Sequence, residues 1–269
     1  MLHEEFAPPA ELQEAVKCFW YNRWDFGAEP SSFEVMPDGY AEIVFCFGSV
    51  ARDSVAMPSP FMMGLLNQPV TFTAAGRLEI IGIRCYPWTV FDLLGLPSGK
   101  HGVHTFEHPI AQLQPVLARC VQAGDINSAL DELRRYFLQA RSRLAVDSML
   151  FKAGEAMRKA NGAMPVSEVA AAAHATVRTL ERKFKQSSGH TVKDVSGLMR
   201  FEQVRNRLWH APHTNLAALA QELGYTDQSH LSREFKRYSG ATPAAFARTA
   251  RASSKDFVAF VQAAPGATP

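Results

Sequence analysis

The chain has 269 residues, 47% hydrophobic and 20% charged, which excludes a chain disordered throughout and suits two domains of roughly 100–200 residues each. Lys plus Arg is 28 and Asp plus Glu is 26, for a formal net charge of +2. That small sum hides an asymmetry: residues 166–250 hold 12 basic and 7 acidic residues and the remainder holds 16 and 19, so an anionic partner is expected for the C-terminal half alone.

The N-terminus, MLHEEFAPPAELQEAV, has early acids and prolines and no apolar run of signal length. No stretch approaches the ~20 apolar residues that span a bilayer, so a cytoplasmic protein with no membrane partner is expected. Cys18, Cys46, Cys85 and Cys120 lie far apart with no C-x-x-C pair, which argues against a zinc ribbon or a disulfide framework. Cys46 and Cys85 sit on apolar strands as small buried hydrophobes, while Cys18 and Cys120 fall on amphipathic helical candidates.

The first hundred residues read as β-rich. Tyr40–Phe47 follows the turn signal Pro37-Asp38-Gly39, and alternation places Ile43, Phe45 and Phe47 on one face. Pro69–Ala75 and Leu78–Cys85, parted by Gly76, read as two strands of a hairpin. Trp88–Leu94 is a short helix ending at Gly95 and Pro97. From Pro109 the period becomes helical. Ile110, Leu113, Val116, Leu117 and Val121 recur up to Gly124, and Asp125 or Asn127 caps a helix that buries Leu130, Leu133, Phe137 and Leu138. Helical spacing resumes over Asp147–Ala160 and stops at Asn161-Gly162, and short-turned helices follow to about Thr249.

The fold expected is therefore α+β in two domains. Residues 1–140 form a β-rich, sandwich- or barrel-like domain with a helical connector. Residues 147–250 form an all-α domain with two helix-turn-helix units joined by a long helix, and residues 251–269 form a tail.

An internal repeat carries the function. Leu180–Val192, LERKFKQSSGHTV, returns 51 residues later as Leu231–Pro243, LSREFKRYSGATP, with seven of 13 positions identical. In each copy an Ala/Leu-rich helix comes first, Ser167–Ala173 and then Leu216–Leu223. A turn follows, His174-Ala175 or Gly224-Tyr225, and Thr176 or Thr226-Asp227 supplies an N-cap oxygen for a second helix. Leu180 and Phe184, like Leu231 and Phe235, are four apart and face inward. Gly189 and Gly240 end the helices where positive φ is needed. Two helices joined by a short turn, with a basic outer face on the second, make a helix-turn-helix.

Residues Asn215–Ala247, NLAALAQELGYTDQSHLSREFKRYSGATPAAFA, resemble the signature of the AraC/XylS transcriptional regulators. The carriers are Ala220, Gly224-Tyr225, Asp227-Gln228-Ser229, Phe235-Lys236, Gly240 and Thr242-Pro243. Arg200–Arg205 resembles that family's connecting helix, and the resemblance spans roughly residues 147–248. His174 departs from the glycine usual in the first turn, and histidine tolerates positive φ better than most residues. Pro37-Asp38-Gly39, Glu42–Phe45, Gly82-Ile83-Arg84 and Pro87 resemble the sensor domain that precedes this module in one branch of the family.

Arg178, Glu181, Arg182 and Lys185 share a face opposite Leu180 and Phe184, as Gln228, Ser229, Ser232, Arg233 and Lys236 do in the second copy. In a major groove Arg pairs with guanine and Gln with adenine. The resemblance implies double-stranded DNA as partner, with Arg178, Glu181, Arg182, Ser229, Ser232 and Arg233 reading bases. Lys183, Lys185, Lys236 and Arg237 are expected on phosphates, which set affinity and salt dependence. The helix near Lys193–Trp209 would hold the recognition helices about 34 Å apart, one turn of DNA. The resemblance further implies a small-molecule effector in the N-terminal domain, where Phe45, Phe47, Met62, Phe72 and Trp88 are candidate lining residues. RNA polymerase and a second copy of the chain are candidate partners.

The rival reading is a metal- or thiol-dependent enzyme domain fused to a DNA-binding module. His101, His104, Glu107 and His108 are close enough to suggest ligands, but Gly99, Gly102 and Pro109 mark a loop with no helix to fix a ligand pair. Solvated loop histidines are the plainer account, so no metal or cofactor is expected. No G-x-S-x-G, Walker, dinucleotide or H-E-x-x-H motif occurs, so an enzyme is not expected.

Overall fold

A computed structural model describes residues 2–96, 102–142 and 148–252. Predicted loop residue His101, the boundary stretch 143–147 and most of the predicted tail lie outside the described residues. In the N-terminal domain eight antiparallel strands form one sheet: β1 (Leu2–Phe6), β2 (Val16–Asp25), β3 (Ser31–Val35), β4 (Ala41–Arg52), β5 (Val55–Ala56), β6 (Phe61–Met63), β7 (Val70–Cys85) and β8 (Val103–His104). The order is β1-β2-β7-β4-β6-β8, with β3 on β7 and β5 on β4.

The hairpin expected at residues 69–85 is instead one continuous strand, β7. Partners on both edges carry it through Gly76: β3 takes residues 70–74 and β2 residues 77–85 on one side, and β4 runs along the other. The β4 register slips between Phe47 and Ser49, where a Cβ on Gly48 (φ 131°) would lie 2.6 Å from the Arg77 carbonyl. Glycine here marks a bulge with close backbone approach. Cys18, expected on a helix, lies on β2.

The sheet is buried on both faces, so the middle of β2, residues 18–21, and of β7, residues 80–83, read as unbroken runs without a charged residue. Phe19, Ile43, Phe45, Ile81 and Ile83 meet α1 (Val90–Leu94), α2 (Gln114–Gln122) and α3 (Ile126–Arg141). Trp20, Val44, Ile80, Phe61 and Phe72 fill the opposite side. Gly82 is required where the Trp20 ring crosses β7, since a Cβ there would sit 2.0 Å from it. Gly95 ends α1 in the left-handed region, and Asp125 caps α3 by accepting from the Ser128 N–H.

The second domain comprises α4 (Ser148–Lys159), α5 (Val166–Ala172), α6 (Val177–Ser188), α7 (Val192–His210), α8 (Leu216–Glu222), α9 (Gln228–Ser239) and α10 (Pro243–Ala252). α10 continues into the first residues of the predicted tail. Among the described residues no helix is long and apolar enough to cross a membrane.

Candidate nucleic-acid interface

Both predicted units form. In the first, Thr176 caps α6 by accepting from the Thr179 N–H at 3.2 Å, and Gly189 ends it at φ 76°. In the second, Asp227 rather than Thr226 caps α9, accepting from the His230 N–H at 2.7 Å, and Gly240 ends it at φ 73°. The turns match: His174 has φ 53° and Gly224 φ 73°. Histidine therefore holds a left-handed conformation that glycine adopts without strain. Leu180, Phe184, Leu231 and Phe235 are all fully buried, and burying each such side chain contributes about 1.5–3 kcal/mol.

That anchoring turns the opposite faces outward. Arg178, Arg182 and Lys185 are exposed on α6, with Glu181 and Lys183 half-buried. Gln228, Ser229, Arg233, Lys236 and Arg237 are exposed on α9, with Ser232 half-buried. The predicted residues thus gather on the two second helices. Some have tasks that spacing did not show. A Glu181 carboxylate oxygen accepts from the Val192 N–H at the start of α7, at 3.3 Å. Arg182 donates to Gln186 at 3.4 Å, and the Arg237 guanidinium lies 5.3 Å from the Tyr238 ring centroid.

α7 braces the pair. A Thr191–Asp194 capping box fixes its start. Arg200 donates to both carboxylate oxygens of Glu234 on α9, at 3.0 and 3.2 Å, and to the Gly162 carbonyl at 2.9 Å. Its guanidinium also covers the Tyr225 ring at 5.1 Å. Phe201 packs on Phe235 and Tyr238, and Phe246 of α10 closes on Phe235. Arg200 and Glu234 escaped the sequence reading because their pairing joins residues 34 apart on different helices.

The N-terminal domain grips this assembly at several places. Trp88 packs on Phe184 of α6 and lies against Gly154 of α4, where a Cβ would sit 2.3 Å from its ring. Ser187, also on α6, donates to the Trp88 carbonyl at 2.6 Å and reaches Asp92 at 2.9 Å. The second contact uses the Pro37-Asp38-Gly39 turn. Buried Arg205 of α7 donates to the Pro37 carbonyl at 3.0 Å, and a Cβ on Gly39 would press on Met199 at 3.2 Å.

A charge cluster lies behind that turn. Arg84 faces Glu42 at 2.6 Å, Glu5 at 3.1 Å and Asp38 at 3.8 Å, and Arg205 faces Glu202 at 4.0 Å. Burial pushes Glu42 and Glu202 up to about 7, pushes Asp38 up, and pulls Arg205 down. Glu202 and Arg205 both move toward neutrality, so loss of hydration outweighs their mutual attraction.

The five candidate effector residues are not brought together. Phe45 and Met62 are buried under the helices, Phe72 is on the opposite face, and Trp88 is in the domain junction. Phe47 borders a cleft of about 420 Å³, with Arg77, Glu79, Gln114 and Val121 among its walls.

Of the histidines considered as ligands, His108 uses both ring nitrogens, on the Leu94 carbonyl (2.8 Å) and the Ile110 N–H (3.3 Å). Among the described residues no group of three or more His, Cys, Asp or Glu side chains could hold a metal. Burial pushes the Cys18 and Cys46 thiols up to about 12, far from thiolate chemistry at neutral pH.

Residues 4–105 match a domain family of unknown function, DUF6597, and residues 169–249 match a helix-turn-helix domain family. No curated protein matches in sequence. Similar solved structures include unsaturated fatty acid-bound ToxT from Vibrio cholerae, 12% identical, covering 88% of this chain and 98% of that one with a TM-score of 0.47. The DNA-binding domain of the transcriptional factor AdpA in complex with a target DNA is 23% identical, covering 40% and 97% with a TM-score of 0.37. The C-terminal domain of AraT, a response regulator from Geobacillus stearothermophilus, is 23% identical, covering 40% and 88% with a TM-score of 0.36. The chain thus joins a domain that matches DUF6597 to a helix-turn-helix domain whose two capped, outward-facing units are braced on one helix.

Proposed function

We propose that α6 and α9 read successive major-groove segments on one side of a single duplex, so that one chain recognises an asymmetric site. The observation that carries this reading is the pair of exposed basic helix faces, each anchored by a buried Leu/Phe pair and held on α7. Arg178, Arg182, Gln228, Ser229, Ser232 and Arg233 contact base edges. Glu181 stands at the border of that face, with one oxygen committed to Val192. Lys183, Lys185, Lys236 and Arg237 meet phosphates, fixing register and contributing the salt-dependent part of the affinity.

The N-terminal domain is the controlling domain, and it acts in the cytoplasm without catalysis. It holds α6 through Trp88 and Ser187 and α7 through the Pro37 turn, so a small-molecule effector that prefers one docking arrangement shifts the population that binds DNA. A second copy and RNA polymerase are the further partners this reading implies. Selection of bound sites from random DNA with the full chain tests it. The expected product is two unlike conserved tracts centred about 10 base pairs apart. Recovery of one tract only, or of no preferred sequence, overturns the reading.

A further inference from the structure

Between the two domains lies a cavity of about 200 Å³ that DNA reading does not use. Lys17, Tyr40 and Tyr86 line it from the N-terminal side, and Arg158 of α4, Asn161 in the turn after α4 and Gln203 of α7 from the other. Lys17 and Arg158 take part in no ion pair within 4.0 Å among the described residues. Arg158 donates to the Tyr86 hydroxyl at 2.6 Å and lies over that ring, 4.5 Å from its centroid. Its Nε–H is buried with no acceptor.

The chemistry of the wall is lopsided. An ammonium, a guanidinium, two phenols and two amides all offer N–H or O–H groups. The carboxyl in the wall, Glu202, faces Arg205 at 4.0 Å, and burial lifts it to about 7, so below neutral pH it too is protonated and a donor. Apolar surface comes from Met199. A buried donor without an acceptor is unfavourable, and a guanidinium most of all, so an occupant that supplies acceptors and negative charge is stabilised here.

We propose that this cavity binds a small, acceptor-rich anion, a short dicarboxylate or inorganic phosphate, held between Lys17 of the N-terminal domain and Arg158 of α4. Because the two cations lie on opposite sides of the junction, the bound anion ties the domains together and favours the docked arrangement. Its regulatory consequence rests on the N-terminal domain controlling DNA binding; its binding does not.

Isothermal titration of the full chain, without DNA and at constant ionic strength, provides the test, with succinate, phosphate and acetate as separate arms. Saturable binding of one anion per chain is expected for succinate or for phosphate, and whichever binds identifies the class. Acetate is expected to be at least about tenfold weaker, because it supplies one charged group for two cations. Arg158→Gln and Lys17→Gln each weaken binding by about 10–100-fold, the loss expected for a hydrogen bond to a charged group. Gln203→Glu, which places a carboxylate in the wall without removing either cation, weakens it too while the protein melts at an unchanged temperature in the absence of anion. The proposal is overturned if neither succinate nor phosphate binds, or if binding survives all three substitutions. As no DNA is present, such a failure leaves the reading of α6 and α9 untouched.

Discussion

Glu202→Gln isolates the electrostatics of the domain junction. The Glu202 carboxyl is buried on α7 and lifted from its ordinary 4.5 to about 7, chiefly by burial and against the pull of Arg205. The unfolded chain holds the same group near its ordinary value, so the folded state binds the proton more tightly. As pH rises from about 4.5 to about 7, stability therefore falls, and it levels off above that range. The carboxyl's rise corresponds to about 3 kcal/mol. Glutamine imitates the protonated acid and cannot ionise. The variant should match the parent near pH 4 and exceed it by about 3 kcal/mol at pH 8. Glu42, lifted for the same reason, and His3, held above its ordinary value chiefly by Glu5, change stability in the same direction over this range. They are present in both proteins and largely cancel in the difference between the two, which measures Glu202 together with its repulsion from Asp38. Urea denaturation at a series of pH values measures it. A difference that does not change with pH, or a parent that gains on the variant as pH rises, would show that Arg205 holds Glu202 as a carboxylate and refute the reasoning.

Arg233→Ala should weaken binding to the selected site by about 1–3 kcal/mol and binding to random duplex hardly at all, with folding stability within about 0.5 kcal/mol. Equal losses on both DNAs at fixed salt would remove Arg233 from the base-reading set. Lys236→Gln should lower the log–log salt slope by about 0.9 with site preference unchanged; an altered preference would place Lys236 on a base edge instead. Gly154→Ala puts a methyl 2.3 Å from the Trp88 ring and should destabilise the protein by about 1–3 kcal/mol. A melting temperature equal to the parent's would contradict the packing of Trp88 between the domains.

The recognition helices were legible because their determinants are local. A cap, a Leu/Phe pair four residues apart and a terminal glycine lie within one short segment, and the repeat shows them twice. β7 was not legible at Gly76: glycine signals a turn in sequence and does take a left-handed φ of 66° there, but pairing of the flanking residues with β3, β2 and β4 carries the strand on past a local irregularity instead of reversing it. β2 misled for a related reason, since a strand buried on both faces loses its alternation and Cys18 then fits a helical pattern. Aromatic content marked Phe45, Phe72 and Trp88 as pocket candidates, yet which side of a sheet a residue faces depends on register, and these three fall into different clusters. The Pro37-Asp38-Gly39 turn was visible as a motif. Its role in receiving Arg205, 168 residues away, required the assembled structure.

The central claim is that two braced helices of one chain read one duplex, and single-helix lesions scored on selected DNA test it most directly. Full-length Arg182→Ala and Arg233→Ala proteins, each put through the same selection as the parent, should each lose sequence preference in one tract and keep the other, with the roughly 10-base-pair spacing preserved. If either substitution blurred both tracts equally, or neither changed the selected sequence, the two helices would not be separate readers of a shared site.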